Sequence, residues 1–371
     1  MKLIIAILIG AGLFWIVRLL YKKKWEDGLK VEIDFPDRIV REGEESRLLE
    51  VITNDKWLPL PILQVKFAIT RTFRFATDCG GDVTDQYYRS EYFALRAYER
   101  ISRTYPFRCT RRGLFSMKNM DLLCRDLFMS AEMYDSIEHP VTLLVLPRRI
   151  SLQEIPADCI QLLGEIETNL KLMDDPFAFS MIREYQPYDS MHAVNWKVSA
   201  RMDELMVNTF HTTLQRELVI FLDLNTHAKL YEERLREDLI RIAAALGAYF
   251  VERKIPTALI TNGCDSVTGK AESVRSGAAL THIQNIETML ARIDANAECV
   301  DILDLIRDRI RLQNHEEFLI LTNNRKSDFI ENIRELRERS DRKIHLISAY
   351  LKRETDMCAC DFAYRWEIKD E

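Results

Sequence analysis

The chain has 371 residues, 47% of them hydrophobic and 30% charged, with a formal net charge of −6. That length accommodates two or three domains with sizeable cores, and the acidic balance argues against a general nucleic-acid binder, whose surface would be basic. Eight cysteines carry no zinc-ribbon spacing and read as reduced thiols, not as a disulfide framework. Cys358 and Cys360 form the tightest pair, and one such pair alone does not make a metal site.

Residues 3–17 are apolar and uncharged, and Leu19, Leu20 and Tyr21 extend the run past Arg18. That approaches the ~20 residues needed to cross a bilayer, and Arg18 can snorkel from near the end. Lys22, Lys23 and Lys24 come next, with no small-x-small cleavage site, so a transmembrane anchor over residues 1–21 is predicted instead of a signal peptide. The lysines put the rest of the chain on the cytoplasmic side of the cell membrane, as a single-pass protein.

Residues 22–150 carry strand signals. Leu63, Val65, Phe67 and Ile69 alternate with Gln64, Lys66 and Ala68, and residues 47–53 and 89–98 have the same strand-like content. Asn54-Asp55, Pro59 with Pro61, Gly80-Gly81 and Arg112-Gly113 punctuate them. Short strands with turns between them predict a β-sandwich of immunoglobulin-like kind. The spacing predicts a helix over 158–172 through Ile160, Leu163, Ile166 and Leu170. It opens a segment, 151–216, that is dense in charge, aromatic rings and turn residues.

From residue 217 the pattern becomes strand alternating with helix. Residues 218–222 are a buried-type strand ending in Asp223, and 230–253 an amphipathic helix. Strands at 257–261, 318–322 and 344–348 alternate with helices at 281–293, 300–312 and 327–339, the last opened by Ser327 as a cap. That predicts an α/β domain over 217–371, an open and mostly parallel sheet with helices on both faces. Asp223 and Thr322-Asn323 then stand at the carboxyl ends of strands, where such folds meet ligands.

The organising stretch holds Arg183-Glu184-Tyr185, then Pro187-Tyr188-Asp189, then Trp196-Lys197-Val198-Ser199-Ala200-Arg201 and Leu205-Met206-Val207. These ordered and mostly polar residues closely resemble the bacterial and archaeal family named domain of unknown function 58. Tyr188 stands where the family usually has Gly, and Asn195 where many members have His, so Asn195 can hydrogen-bond but cannot do acid–base chemistry. Glu42-Gly43-Glu44, Asn54 with Leu58-Pro59-Leu60, Arg111-Arg112-Gly113 and Asp126-Leu127-Phe128 resemble further landmarks of the family, with Met129 replacing its usual Gly.

The doubly wound half resembles a von Willebrand factor A domain. Such domains often hold Mg²⁺ in an Asp-x-Ser-x-Ser loop helped by a later Thr and Asp. Here the loop reads Asp223-Leu224-Asn225-Thr226-His227 and the later element Thr322-Asn323-Asn324. Both serines and the second acid are gone. A hard cation wants several oxygens and charge, so a degenerate site at Asp223, Asn225, His227 and Asn323 is expected to bind none, and no cofactor is expected.

The signature residues Arg183, Glu184, Tyr185, Asp189, Asn195, Trp196, Lys197, Ser199 and Arg201 have two readings. One is a structural ion-pair network with Trp196 packed inside it, and Asp189 or Ser190 capping the following helix. The other is a surface for a protein partner. No nucleophile–base pair, metalloprotease motif or phosphate-binding loop occurs among the seven histidines and their neighbours. The resemblance implies a non-enzymatic, membrane-anchored adaptor that works with a MoxR-type AAA+ ATPase on a client complex. The alternative is a hydrolase or metal-dependent enzyme with its site near Asp223.

Overall fold

The computed structural model describes residues 2–70, 72–75, 86–171, 179–186, 191, 194–210, 217–225, 232–294, 300–312, 316–340, 342–351 and 362–368. The chain divides into two compact units, Met1–Arg148 and Arg149–Glu371.

The first unit opens with helix α1, Lys2–Lys24. Its stretch Leu3–Lys24 has a mean hydropathy of 2.5, with the most apolar window unburied, so the helix is long and apolar enough to cross a membrane. Its end is fastened to the strands beyond it. Tyr21 and Trp25 are only 2% and 3% exposed, the Tyr21 hydroxyl donates to the Pro59 carbonyl at 2.8 Å, and Lys56 Nζ donates to the Trp25 carbonyl at 2.6 Å.

Among the described residues of the unit nine strands follow: β1 Leu29–Asp34, β2 Ile39–Arg41, β3 Glu45–Asn54, β4 Leu60–Thr70, β5 Phe73–Phe75, β6 Gln86–Leu95, β7 Arg100–Cys109, β8 Gly113–Arg125 and β9 Glu132–Leu146. They form one sheet in the order β1-β3-β7-β5 and another in the order β2-β9-β8-β4-β6. The alternation read in β4 places Leu63, Val65, Phe67 and Ile69 in the interior. They join Ile33, Leu48 and Ile52 of the first sheet and Met120, Leu122 and Leu143 of the second in one apolar core. Each such side chain contributes roughly 1.5–3 kcal/mol when fully buried.

The second unit holds helix α2, Ala157–Lys171, then strand β10, Phe179–Glu184, helix α3, Trp196–Met202, and strand β11, Met206–Phe210. Strand β12, Glu217–Leu222, begins the α/β part. It continues as α4 Glu232–Glu252, β13 Thr257–Asp265, β14 Ala271–Gly277, α5 Leu280–Arg292, β15 Ile293–Asp294, α6 Ile302–Leu312, β16 Glu316–Thr322, α7 Ser327–Arg339, β17 Ile344–Leu351 and β18 Ala363–Ile368.

The sheet order is β14-β13-β12-β16-β17-β18, with β15 beside β13. Strand β12 runs parallel to β13 and to β16, while β14 is antiparallel at the edge. Both faces of this sheet are covered. Leu218, Ile220 and Leu222 of β12 pack with Leu239 and Leu246 of α4 and Ile286 of α5. Val219 and Phe221 pack on the other face with Ile306 of α6 and Ile333 of α7. That is why β12 reads as a continuous apolar run without alternation.

Two local expectations are corrected, and a third falls outside the described residues. Helix α3 is capped by Asn195, whose side chain accepts from the Val198 N–H, whereas the expected caps Asp189 and Ser190 lie outside the described residues. Helix α7 has Ser327 as its first residue, and the capping position is Lys326, with no side-chain cap. Trp196, expected to be packed, is 62% exposed: the first position of a short helix points it away from β11, and the capping face is turned inward instead.

Candidate functional site

The chain leaves β12 towards β13 on one side and β16 towards β17 on the other. The point between β12 and β16 is therefore where connections diverge, the usual place for ligands in open α/β sheets. Asp223 directly follows β12 and is 1% exposed. One of its carboxylate oxygens accepts from the Thr322 hydroxyl at 2.7 Å, across the divide. The other accepts from Asn262 Nδ2 at 2.8 Å and from the Asn225 N–H at 3.1 Å. Asn262 in turn accepts from the Leu224 N–H at 2.8 Å, and Thr322 Oγ1 accepts from the Asn324 N–H at 2.9 Å. Asp223 thus ties down its own loop.

Asn323 is 7% exposed, and neither end of its amide has a hydrogen-bond partner. Asn262 was not among the residues singled out from the sequence. The signal was present, since Thr261-Asn262-Gly263 continues the predicted strand at 257–261 with turn-type residues. His227 lies outside the described residues.

These residues do not fit a hard cation. The single carboxylate is already engaged by three donors, and no cluster of three or more His, Cys, Asp or Glu side chains suited to a metal occurs among the described residues. The arrangement can donate and accept hydrogen bonds.

The signature segment is a two-stranded antiparallel ribbon, β10 with β11, in which Arg183 pairs with Val207 and Glu184 with Met206. Tyr185 extends it, its N–H donating to the Leu205 carbonyl at 2.8 Å. Helix α3 lies against β11 through Ser199, whose hydroxyl donates to the Asn195 carbonyl at 2.9 Å and accepts from the Met206 N–H at 2.8 Å. Asp203 closes the helix in the left-handed region, φ 60°, with its N–H on the Ser199 carbonyl.

The signature residues therefore separate into two groups. Asn195 and Ser199 face the ribbon and hold its backbone. Trp196, Lys197 and Arg201 face solvent, as does Glu184, while Arg183 is half-buried and donates to the Glu184 carbonyl at 3.0 Å. Met191, Met202 and Leu205 are 54%, 63% and 41% exposed beside them. Asp189 lies outside the described residues. The sheet-end cluster and the exposed face of α3 are thus distinct constellations in the second unit, one buried and polar, the other open and apolar-cationic.

Comparison with solved structures finds likenesses over about a third of the chain. A crystal structure of a CARDB domain from Pyrococcus furiosus, in complex with di-metal ions, is 15% identical with a TM-score of 0.22, covering 32% of this chain and 94% of that one. A cohesin–dockerin complex from Clostridium thermocellum matches at 10% identity and a TM-score of 0.21, covering 32% of this chain and 99% of that one. No curated protein matches. Residues 181–268 match the family described as Protein of unknown function DUF58. The chain carries the DUF58 segment that its ordered Arg-Glu-Tyr and Trp-Lys-x-Ser-Ala-Arg motifs indicated.

Proposed function

We propose that this chain is a membrane-anchored protein-interaction module whose docking face is the exposed side of α3: Trp196, Lys197 and Arg201. The observation that carries the reading is the 62% exposure of Trp196 on a helix whose hydrogen-bonding face is turned onto the ribbon. Trp, Met and Arg are enriched in protein interfaces, and Trp and Arg dominate their binding energy. An exposed Trp flanked by Met191, Met202 and Leu205 has that composition.

The anchor is α1, and the lysines at its end favour a cytoplasmic location for both domains beyond it. The partner implied by the family resemblance is a MoxR-type AAA+ ATPase, with this chain linking it to a client. The sheet order and the Asp223 loop support a von Willebrand factor A-like reading of the α/β part. An Asp223 carboxylate already engaged by protein donors agrees with an adaptor better than with metal chemistry.

The test is affinity capture by the full chain in native membranes, with the ATPase as prey. Trp196→Ala and Arg201→Glu are expected to abolish capture and to melt like the wild type. Undiminished capture by both variants would remove α3 as the docking face. The rival, a hydrolase or metal-dependent enzyme at the strand ends, draws on the unpartnered Asn323 amide beside Asp223. It predicts a calorimetric Mg²⁺ signal that Asp223→Ala abolishes, whereas the adaptor reading predicts no such signal.

A further inference from the structure

One end of the β-sandwich gathers four connections and the root of α1. The strand pairings Leu29 with Asn54, Leu60 with Leu95, Thr53 with Arg100 and Arg125 with Glu132 bring four connections to the same end, at residues 25–28, 55–59, 96–99 and 126–131. The first three are stitched together by backbone bonds, Asp55 N–H to the Gly28 carbonyl at 2.8 Å and Tyr98 N–H to the Lys56 carbonyl at 3.1 Å. This is also the end from which α1 departs.

The tips at this end carry large apolar side chains in the open. Trp57 is 54% exposed, Tyr98 69%, Leu127 54%, Phe128 47% and Met129 65%. Large apolar side chains gathered in the open at one end mark a contact surface, and their position beside the apolar helix identifies what they meet. The Phe128 ring lies 5.3 Å from that of Phe14, deep in the apolar part of α1.

The charges agree with a level. Arg18 stands one turn from Phe14 towards the sandwich, about 6 Å along the helix axis; burial disfavours the Asp126 carboxylate, but the Ser130 and Ala131 hydrogen bonds, with the Arg18 charge adding to them, hold its pKa below the usual value. Charged Arg18 and Asp126 at headgroup depth, with the Phe14 and Phe128 rings one turn deeper, match a shallow insertion of ~5–10 Å. Trp57 and Tyr98 then lie where amphipathic aromatic rings favour the membrane–water boundary.

The tip is also preformed. Asp126 accepts from the Ser130 N–H and hydroxyl, both at 2.6 Å, and from the Ala131 N–H at 3.2 Å. Met129 is held in the left-handed region, φ 53°. Insertion therefore requires little ordering of the loop.

We infer that the β8–β9 tip, Leu127-Phe128-Met129, inserts into the bilayer beside α1 as a second membrane contact. The inference rests on α1 being a membrane anchor.

A photoreactive phenylalanine analogue placed singly at Phe128, Leu13 or Ile39 of the full chain in phospholipid vesicles tests both. Ile39 is 61% exposed and pairs with Leu144, at the opposite end of β9 from the tip. Lipid adducts are expected at Leu13 and at Phe128 and none at Ile39. Adducts at Leu13 without any at Phe128 overturn the second contact and leave the anchor standing. No lipid adduct at Leu13 overturns the anchor and the contact with it. An adduct to a different protein in place of lipid at Phe128, distinct from a crosslink within the chain to α1, assigns the tip to a protein partner and overturns the inference.

Discussion

The Ser199 hydroxyl accepts a hydrogen bond from the Met206 N–H at 2.8 Å, across the turn that joins α3 to β11. It donates at the same time to the Asn195 carbonyl at 2.9 Å. One hydroxyl thereby sets the helix, its cap and the ribbon in a fixed relation. Ser199→Ala removes that acceptor from a residue only 8% exposed, at a cost of about 1–3 kcal/mol. The expected sign is faster amide hydrogen exchange at Met206 with the sheet protected as before. Unchanged exchange there would refute the role given to Ser199.

The Asn323 amide is buried without a partner, which costs about 1–3 kcal/mol by desolvation. Asn323→Leu, similar in volume, is expected to leave the melting temperature unchanged or raise it. A clear fall in a calorimetric scan would show that the amide has work the free chain does not reveal.

Glu50 on β3 points into the sandwich and is fully buried. One carboxyl oxygen accepts from the Tyr105 hydroxyl at 3.0 Å, and the other has no partner. Burial pushes its pKa up to about 7. The Tyr105 bond opposes the rise, Glu91 adds to it, and Arg103 and Arg89 oppose it. Folding thus favours the protonated acid. Stability is full below the ordinary value of 4.5 and declines as pH rises towards about 7. Glu50→Gln is expected to match the wild type near pH 4 and to exceed it above pH 7, by at most about 3 kcal/mol. Denaturant unfolding followed across that range checks it, and a difference independent of pH would rule the mechanism out.

A Cβ on Gly263 would stand 2.6 Å from Leu224 Cδ1 and 2.8 Å from Ile293 Cγ2. Gly263→Ala therefore overpacks the position between Asn262 and the Asp223 loop, at about 1–3 kcal/mol. A lowered melting temperature is the expected result, and a melt like the wild type would mean that both neighbours move aside freely.

The sequence was most readable where a pattern had a single physical solution. Leu63, Val65, Phe67 and Ile69 had to share a face, and the apolar run at 218–222 had to be covered on both sides. The strand ends at Asp223 and Thr322 came from that alternation. The ribbon of β10 and β11 was not legible, because its pairing joins residues more than twenty apart and leaves no local period. Trp196 misled for another reason: a tryptophan among charges reads as packed, and only the orientation of a seven-residue helix turns it outward. Asn262 escaped notice because its role depends on Asp223, which is distant in sequence and 2.8 Å away in space.

Tyr21 belongs to α1 and to the sandwich core at once, and Trp25 seals the same junction. The helix is consequently a stiff mast and not a leash: the sandwich cannot swivel about it without breaking its own interior. A recombinant fragment begun after Trp25 would lack two aromatic pieces of its hydrophobic centre, so solubility gained by trimming the helix would come with a loosened fold. Fragments for solution work should retain residues 21–25 and discard only the apolar turns before them.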